Sequence, residues 1–243
     1  MKFDIIVGNP PYNDNNKGGA KRWVLWAEFV KKANELSDVV AMVVPQSITS
    51  PGQFKLIRDN AVLIDIGIDE YFDVGSTFCY FITDKNKKDS TVKIITKDNE
   101  FDLNTNDIDF IPYTVTQETI DQIDWLNNRA KRTWKRGELH TSNKELFEDD
   151  GKYDVFHTNA QTLKTDTIHE NLDKIRVAVT LSGYPTFTVL HKQYCSQATF
   201  WTEFDTIADA TVFAEECNNE PVQTIMKDFK WSGWNSKEII QML

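Results

Sequence analysis

The apolar run Phe3-Asp4-Ile5-Ile6-Val7-Gly8, followed at once by Asn9-Pro10-Pro11-Tyr12, constrains this chain more than any other stretch. A proline has a fixed φ and no backbone N–H, and it pushes the preceding residue into an extended conformation. Asn9 and Pro10 are therefore both stretched, and no helix can consume their carbonyls. A strand must end here in a rigid turn. The Asn9 side-chain oxygen and the Pro10 main-chain oxygen become two acceptors able to converge on one NH₂ group. Accepting both amino hydrogens shifts a conjugated nitrogen toward a tetrahedral amine and frees its lone pair for attack. Tyr12 offers a face on which a planar base can stack, a contact worth about 1–3 kcal/mol. The plain alternative is a proline-stiffened turn with no chemistry.

The first hundred residues alternate as an α/β sheet does. Phe3 to Val7 reads as a strand buried on both faces. A polar loop spans 13–19, and residues 22–36 have helical spacing, with Trp23, Trp26, Ala27, Val30, Ala33 and Leu36 toward one side. Strands are expected at Val39–Val44, Val62–Ile68, Thr77–Thr83 and Thr91–Thr96, with a short helix capped by Ser50 before Pro51. Composition turns polar from Asp98 to Asp109, which suggests domains of 1–105 and 106–243. Beyond it, Gln117 to Lys135 reads as a helix ending at Gly137. Strands follow at Ile175–Leu181 and Phe187–His191, then a helical stretch from Thr211 to Phe229 interrupted at Pro221. The fold class is α/β, followed by an α+β region.

A formal net charge of −10 argues against a surface that is basic throughout, but not against a local cationic patch. Arg129, Lys131, Arg132, Lys135 and Arg136 cluster around Trp134 and could contact a phosphate backbone, or could be a solvated helix face. Three widely spaced cysteines, Cys79, Cys195 and Cys217, fit a reducing, cytoplasmic compartment. No metal is expected: four histidines lack ligand spacing, and Asp69-Glu70 and Asp149-Asp150 read as solvated acids. The apolar runs are too short to cross a membrane, and no secretory signal is visible.

Phe3 to Tyr12 resembles motif IV of the N6-adenine DNA methyltransferases of the gamma arrangement. Phe72 to Ile82 is similar to the motif VIII strand of their Eco57I-like branch, and Val43-Val44-Pro45-Gln46-Ser47 to motif VI. The C-terminal segment around Phe213-Ala214-Glu215-Glu216 resembles the part that closes the target-recognition region. The resemblance implies a partial Rossmann-like methyltransferase sheet, its second half, followed by target recognition. It implies that an adenine flipped out of the duplex is held by Asn9 and Pro10 within the Asn9–Tyr12 turn. Tyr12 would stack on one side, and Phe78 or Tyr80 on the other; as strand neighbours two apart, those two share a face. The methyl donor would be S-adenosylmethionine.

The resemblance also implies a glycine-rich turn that cradles the donor, and none is found. Leu181-Ser182-Gly183-Tyr184-Pro185 and Trp231-Ser232-Gly233-Trp234 are the nearest candidates, and neither has paired glycines between a strand and a helix. The cofactor-binding residues are therefore unassigned, and a second protein chain carrying them is expected beside DNA as a partner. Phe3 to Val7 would otherwise be an open sheet edge. The rival readings are a non-catalytic methyltransferase-like DNA-binding or anti-restriction subunit, and a methyltransferase acting on a protein glutamine.

Overall fold

The computed structural model describes residues 2–12, 24–71, 77–231 and 233–243. The loop expected at 13–19, Trp23, the stretch 72–76, Ser232, and the Asp69 and Glu70 side chains lie outside that description. The chain forms two compact units, Met1–Val115 and Thr116–Leu243. Both are mixed α/β. Among the described residues, no helix is long and apolar enough to cross a membrane.

The first unit is built on strand β1 (Phe3–Gly8), helix α1 (Leu25–Leu36), then β2 (Ser37–Pro45), β3 (Ala61–Asp65), β4 (Phe78–Asp84), β5 (Thr91–Ile95) and β6 (Glu100–Asn104). The sheet order is β1-β2-β4-β3-β5-β6. β1 and β2 pair in parallel, with α1 between them in sequence, as a parallel pair requires a crossover. β4 runs antiparallel to both β2 and β3, and β3 pairs in parallel with β5. Trp26, Ala27, Val30 and Ala33 give α1 its buried face, as their spacing predicts. The last turn of α1 has no basic residue of its own. Lys85, in the turn after β4, reaches over to donate to the carbonyls of Asn34 and Ser37.

Several expectations need correction here. β1 is apolar but not buried: Phe3, Ile5 and Val7 are 46%, 54% and 72% exposed. These alternate positions share one face, and among the described residues β1 is the edge strand, with β2 as its sheet neighbour. The helix expected after Ser50 is instead two 3₁₀ turns, Phe54–Leu56 and Arg58–Asn60, and Ser50 serves through its carbonyl, which accepts from Gln53 N and Phe54 N. Tight turns of this kind come in short pieces and suit a chain that must re-enter the sheet at Ala61. The polar stretch after Asp98 contains β6, an edge strand that buries Leu103. Ile108, Phe110 and Ile111 are then buried, and Ile111 N donates to Thr49 O at 2.9 Å within this first unit.

The second unit comprises α2 (Gln117–Asn128), β7 (Lys135–Arg136), β8 (Tyr153–Thr158), β9 (Gln161–Thr165), β10 (Ile175–Thr180), β11 (Phe187–Leu190), β12 (Tyr194–Cys195), β13 (Thr199–Phe204), α3 (Ile207–Cys217), α4 (Val222–Asp228) and α5 (Lys237–Ile240). One sheet has the order β11-β10-β13-β7 and another β12-β8-β9. A reciprocal capping box between Thr116 and Thr119 starts α2. α2 stops at Asn128 and does not reach Lys135, because Arg129 is already extended and β7 must pair with β13. The buried Trp134 ring then packs 6.2 Å from both Phe187 and Phe213. Arg176 is fully buried and pairs with Glu138 at 3.0 Å, while it also donates to Gln193 O.

Candidate functional site

Parallel pairing places the C-terminal ends of β1 and β2 at the same end of the first sheet, and antiparallel β4 enters the sheet there. Ligands in open α/β sheets bind outside the carboxyl ends of the strands. Asn9 to Tyr12 leave β1 at that end: Asn9 and Pro11 are exposed, Pro10 is buried and Tyr12 is half-buried. Phe78 lies opposite Pro45, and Tyr80 opposite Val43. The register brings Phe78 to the turn, its ring centroid 5.0 Å from that of Tyr12 with the planes tilted by 36°. Tyr80 sits two residues deeper along β4 and is half-buried. Of the two aromatic candidates, Phe78 is thus the one brought against Tyr12.

Gln46 had no role assigned to it from sequence beyond its place in the Val43–Ser47 stretch. Its backbone N donates to Thr77 O at 3.1 Å and its side chain to Tyr113 O at 2.7 Å. It thereby fixes the entry of β4 next to the end of β2. The 4% exposure of its long polar side chain was not legible from composition.

The turn holds itself closed. The Tyr12 hydroxyl donates to Asn9 Oδ1 at 2.6 Å. Burial raises the Tyr12 phenol above its ordinary pKa, so it keeps the proton it donates. A base inserted between two rings needs two stacking separations of about 3.4 Å each, or about 7 Å in all. The 5.0 Å between Tyr12 and Phe78 is too short for that, so the two rings must part before a base could enter between them. Asn9 Oδ1 has a second lone pair beyond the one used by Tyr12.

The basic cluster is split in its use. Arg129 is ion-paired with Glu216, donates to Leu243 O at 3.3 Å, and lies 4.7 Å from the Trp125 ring centroid. Arg132 stacks over Phe204 at 4.1 Å and lines a cavity shared with Glu203, Asp205, Asp209 and Glu216. These two cations serve the unit's own packing and face carboxylates. Lys131, Lys135 and Arg136 are exposed, with Lys135 Nζ 5.2 Å from the Trp201 ring centroid and Arg136 Nε donating to Gln197 O at 2.7 Å.

Among the described residues, no three or more His, Cys, Asp or Glu side chains come together to hold a metal ion. Nor do the described glycines fit a donor-binding turn. Gly67, Gly137 and Gly151 are pressed against the backbone of Lys97, Ser196 and Thr165, while Gly183, at φ +76°, sits between β10 and β11. Gly67 stands as a single glycine between β3 and the short 3₁₀ turn Ile68–Tyr71.

Residues 1–81 match the family model described as Eco57I restriction-modification methylase. A Mycoplasma pneumoniae protein described as an uncharacterized adenine-specific methylase is 32% identical over 111 residues, which is 38% of this chain and 26% of that protein. The chain thus spans about a quarter of the length of that curated relative. Two solved structures are similar at low scores. The Type-I restriction-modification system S subunit from M. genitalium has a TM-score of 0.35 at 20% identity, covering 46% of this chain and 31% of its own. The DrdV–DNA complex has a TM-score of 0.43 at 12% identity, covering 83% and 36%.

Proposed function

We propose that the turn Asn9–Tyr12 with Phe78 is the acceptor-base site of a DNA adenine-N6 methyltransferase, and that the second unit contributes to target recognition. One observation carries this reading: β1 and β4, distant in sequence, deliver Asn9, Tyr12 and Phe78 to one end of a sheet within the stretch that matches a methylase family. On an extruded adenine, Asn9 Oδ1 and the Pro10 carbonyl accept the two N6 hydrogens. That leaves the nitrogen lone pair directed away from both, toward the methyl donor. Tyr12 and Phe78 move apart and take the base between them, while Pro11 keeps the turn stiff. Activation then comes from positioning and from two fixed acceptors. S-adenosylmethionine supplies the methyl group from elements outside the described residues. We place those elements beside β1, whose free edge and exposed Phe3, Ile5 and Val7 offer a pairing surface, on a partner chain or on a further segment of the same polypeptide.

The test is methyl transfer from labelled S-adenosylmethionine to adenine-containing DNA by the native preparation, with any associated chain retained. Asn9→Ala should lower turnover about a hundredfold or more, as removal of a group that fixes the reacting atom does, and leave DNA affinity unchanged. Full turnover by the variant removes Asn9 from the chemistry. The closed contact between Tyr12 and Asn9 favours a second reading, a methyltransferase-like subunit that binds DNA without catalysis. It predicts DNA binding by the native preparation with no transfer under any donor concentration. Transfer to a protein glutamine in place of DNA would instead identify a side-chain amide as the group the turn holds.

A further inference from the structure

The 3₁₀ turn Gln46–Thr49 follows β2 directly and joins two segments that are far apart in sequence. One is the start of β4. Gln46 N donates to Thr77 O at 3.1 Å, and that carbonyl belongs to the peptide group that carries Phe78. Pro45, just before the turn, stands opposite Phe78 in the sheet. The other is the segment 111–113, close to the end of the first unit at Val115. Gln46 Nε2 donates to Tyr113 O at 2.7 Å, and Thr49 O accepts from Ile111 N at 2.9 Å. The turn is closed on itself by Thr49 Oγ1, which donates to Gln46 O at 2.9 Å. Gln46, Ile48, Thr49, Ile111 and Pro112 are all buried. A buried side-chain amide is tolerated when it is hydrogen-bonded, and this one spends its bond on a backbone carbonyl 67 residues away. Close-packed segments tied in this way transmit strain to one another. The Tyr12 and Phe78 rings, 5.0 Å apart, must part before a base enters between them. An outward movement of Phe78 pulls on the Thr77 carbonyl and, through Gln46, on the segment 111–113.

We infer that Gln46 is a positioning residue for the acceptor-base site. Its amide clamps the segment 111–113 to the start of β4 and so sets where the Phe78 wall stands. The inference rests on reading Asn9–Tyr12 and Phe78 as that site, while the clamp itself is a property of the first unit alone. It assigns Gln46 no contact with the base.

The test uses the full chain with two variants. Gln46→Met keeps most of the volume and removes the donor; Gln46→Glu keeps the shape and makes donation depend on pH. In hydrogen exchange followed by mass spectrometry, peptides covering 77–80 and 111–115 should exchange about fivefold faster or more in Gln46→Met than in wild type. Those covering β5 and β6 should be unchanged, which separates a lost clamp from general loosening. A glutamate at this place is desolvated, which raises its carboxyl above the ordinary range. Protonated, it donates to Tyr113 O; ionised, it repels that oxygen. Gln46→Glu should therefore match wild type at about pH 5 and resemble Gln46→Met at about pH 8, each compared with wild type at the same pH. In the native preparation, Gln46→Met should lower kcat about tenfold or more and leave KM for DNA unchanged, because a wall is misplaced and no DNA contact is removed. Faster exchange throughout the first unit, unchanged exchange at 77–80, or a Gln46→Glu variant indifferent to pH overturns the clamp. Full kcat in Gln46→Met overturns the positioning role. A wild type that transfers no methyl group removes the catalytic reading, and the exchange measurement still decides the clamp.

Discussion

At the scale of single residues, the Tyr12 hydroxyl decides whether the turn can work. It occupies one lone pair of Asn9 Oδ1 at 2.6 Å while its ring rests on Phe78. On the proposed reading, a base entering between the rings must part them, and the hydroxyl then shares Asn9 Oδ1 with the substrate. Tyr12→Phe keeps the ring and removes the competing bond, worth about 1 kcal/mol net. It should therefore bind DNA carrying an unpaired adenine several-fold more tightly, as read from fluorescence anisotropy. Weaker binding would show that the hydroxyl serves the open site and does not restrain it. The turn itself was legible because two consecutive prolines restrict the backbone whatever surrounds them. The choice of Phe78 over Tyr80 was not, because strand periodicity puts both on one face and only the register against Pro45 distinguishes them. The closed contact was equally invisible: it depends on where β4 sets Phe78, which no local pattern encodes.

Among elements, the strands that carry the second unit are tied by a buried ion pair. Arg176 on β10 is fully buried against Glu138, with its guanidinium carbon 5.0 Å from the Trp201 ring centroid. Arg176→Met leaves a desolvated carboxylate with no cation and should cost about 3–5 kcal/mol in urea unfolding. Adding Glu138→Leu should recover most of the loss; a double variant as unstable as the single would mean that packing around Trp201, and not the stranded charge, is what fails. Two thiols in the same unit give a pH signature. Burial pushes the thiols of Cys195 on β12 and Cys217 at the end of α3 from an ordinary 9.0 up to about 12. The folded chain holds these protons where the unfolded chain loses them. Their contribution is complete below pH 9 and is lost as pH rises from about 9 toward 12. The urea midpoint should fall across that window, and Cys195→Ala with Cys217→Ala should flatten the fall. Elements with a strong internal pattern were readable: α1 from its 3–4 spacing, and β2 to β5 from apolar runs. β6 and the hairpin of β8 and β9 were missed because half-exposed strands need few apolar residues. The end of α2 was misplaced because the basic residues after Asn128 are compatible with a helix, and only the pairing of β7 with β13 draws them into an extended path.

For the molecule as a whole, 27 Lys and Arg against 37 Asp and Glu leave a net charge of −10, which repels a polyanion at a distance. On the proposed reading, binding to DNA comes from cations concentrated locally, and their number can be counted from the salt dependence. Of the five cations from 129 to 136, Arg129 is held by Glu216 and Leu243, and Arg132 faces a cavity with four carboxylates. A guanidinium already neutralised within the protein releases no counterion from DNA. Lys131, Lys135 and Arg136 are exposed, as is Arg132, whose guanidinium stacks on Phe204. Each phosphate neutralised contributes about 0.9 to the slope of log affinity against log salt on duplex DNA. Replacing Lys131, Lys135 and Arg136 with Gln should lower that slope by about 2.7 and leave the urea midpoint near its original value. Arg129→Gln should do the reverse: an unchanged slope with a lower midpoint, because it strips Glu216 and the Leu243 carbonyl of their partner. If Arg129→Gln reduced the slope as much as an exposed lysine does, its ion pair would have to open on binding, and the whole segment from 129 to 136 would belong to the DNA interface. If the triple variant left the slope untouched, the positive field that overcomes the net charge would have to lie elsewhere. Lys227 on α4 and Lys230 just beyond it, which line one cavity, would then be the next cations to remove.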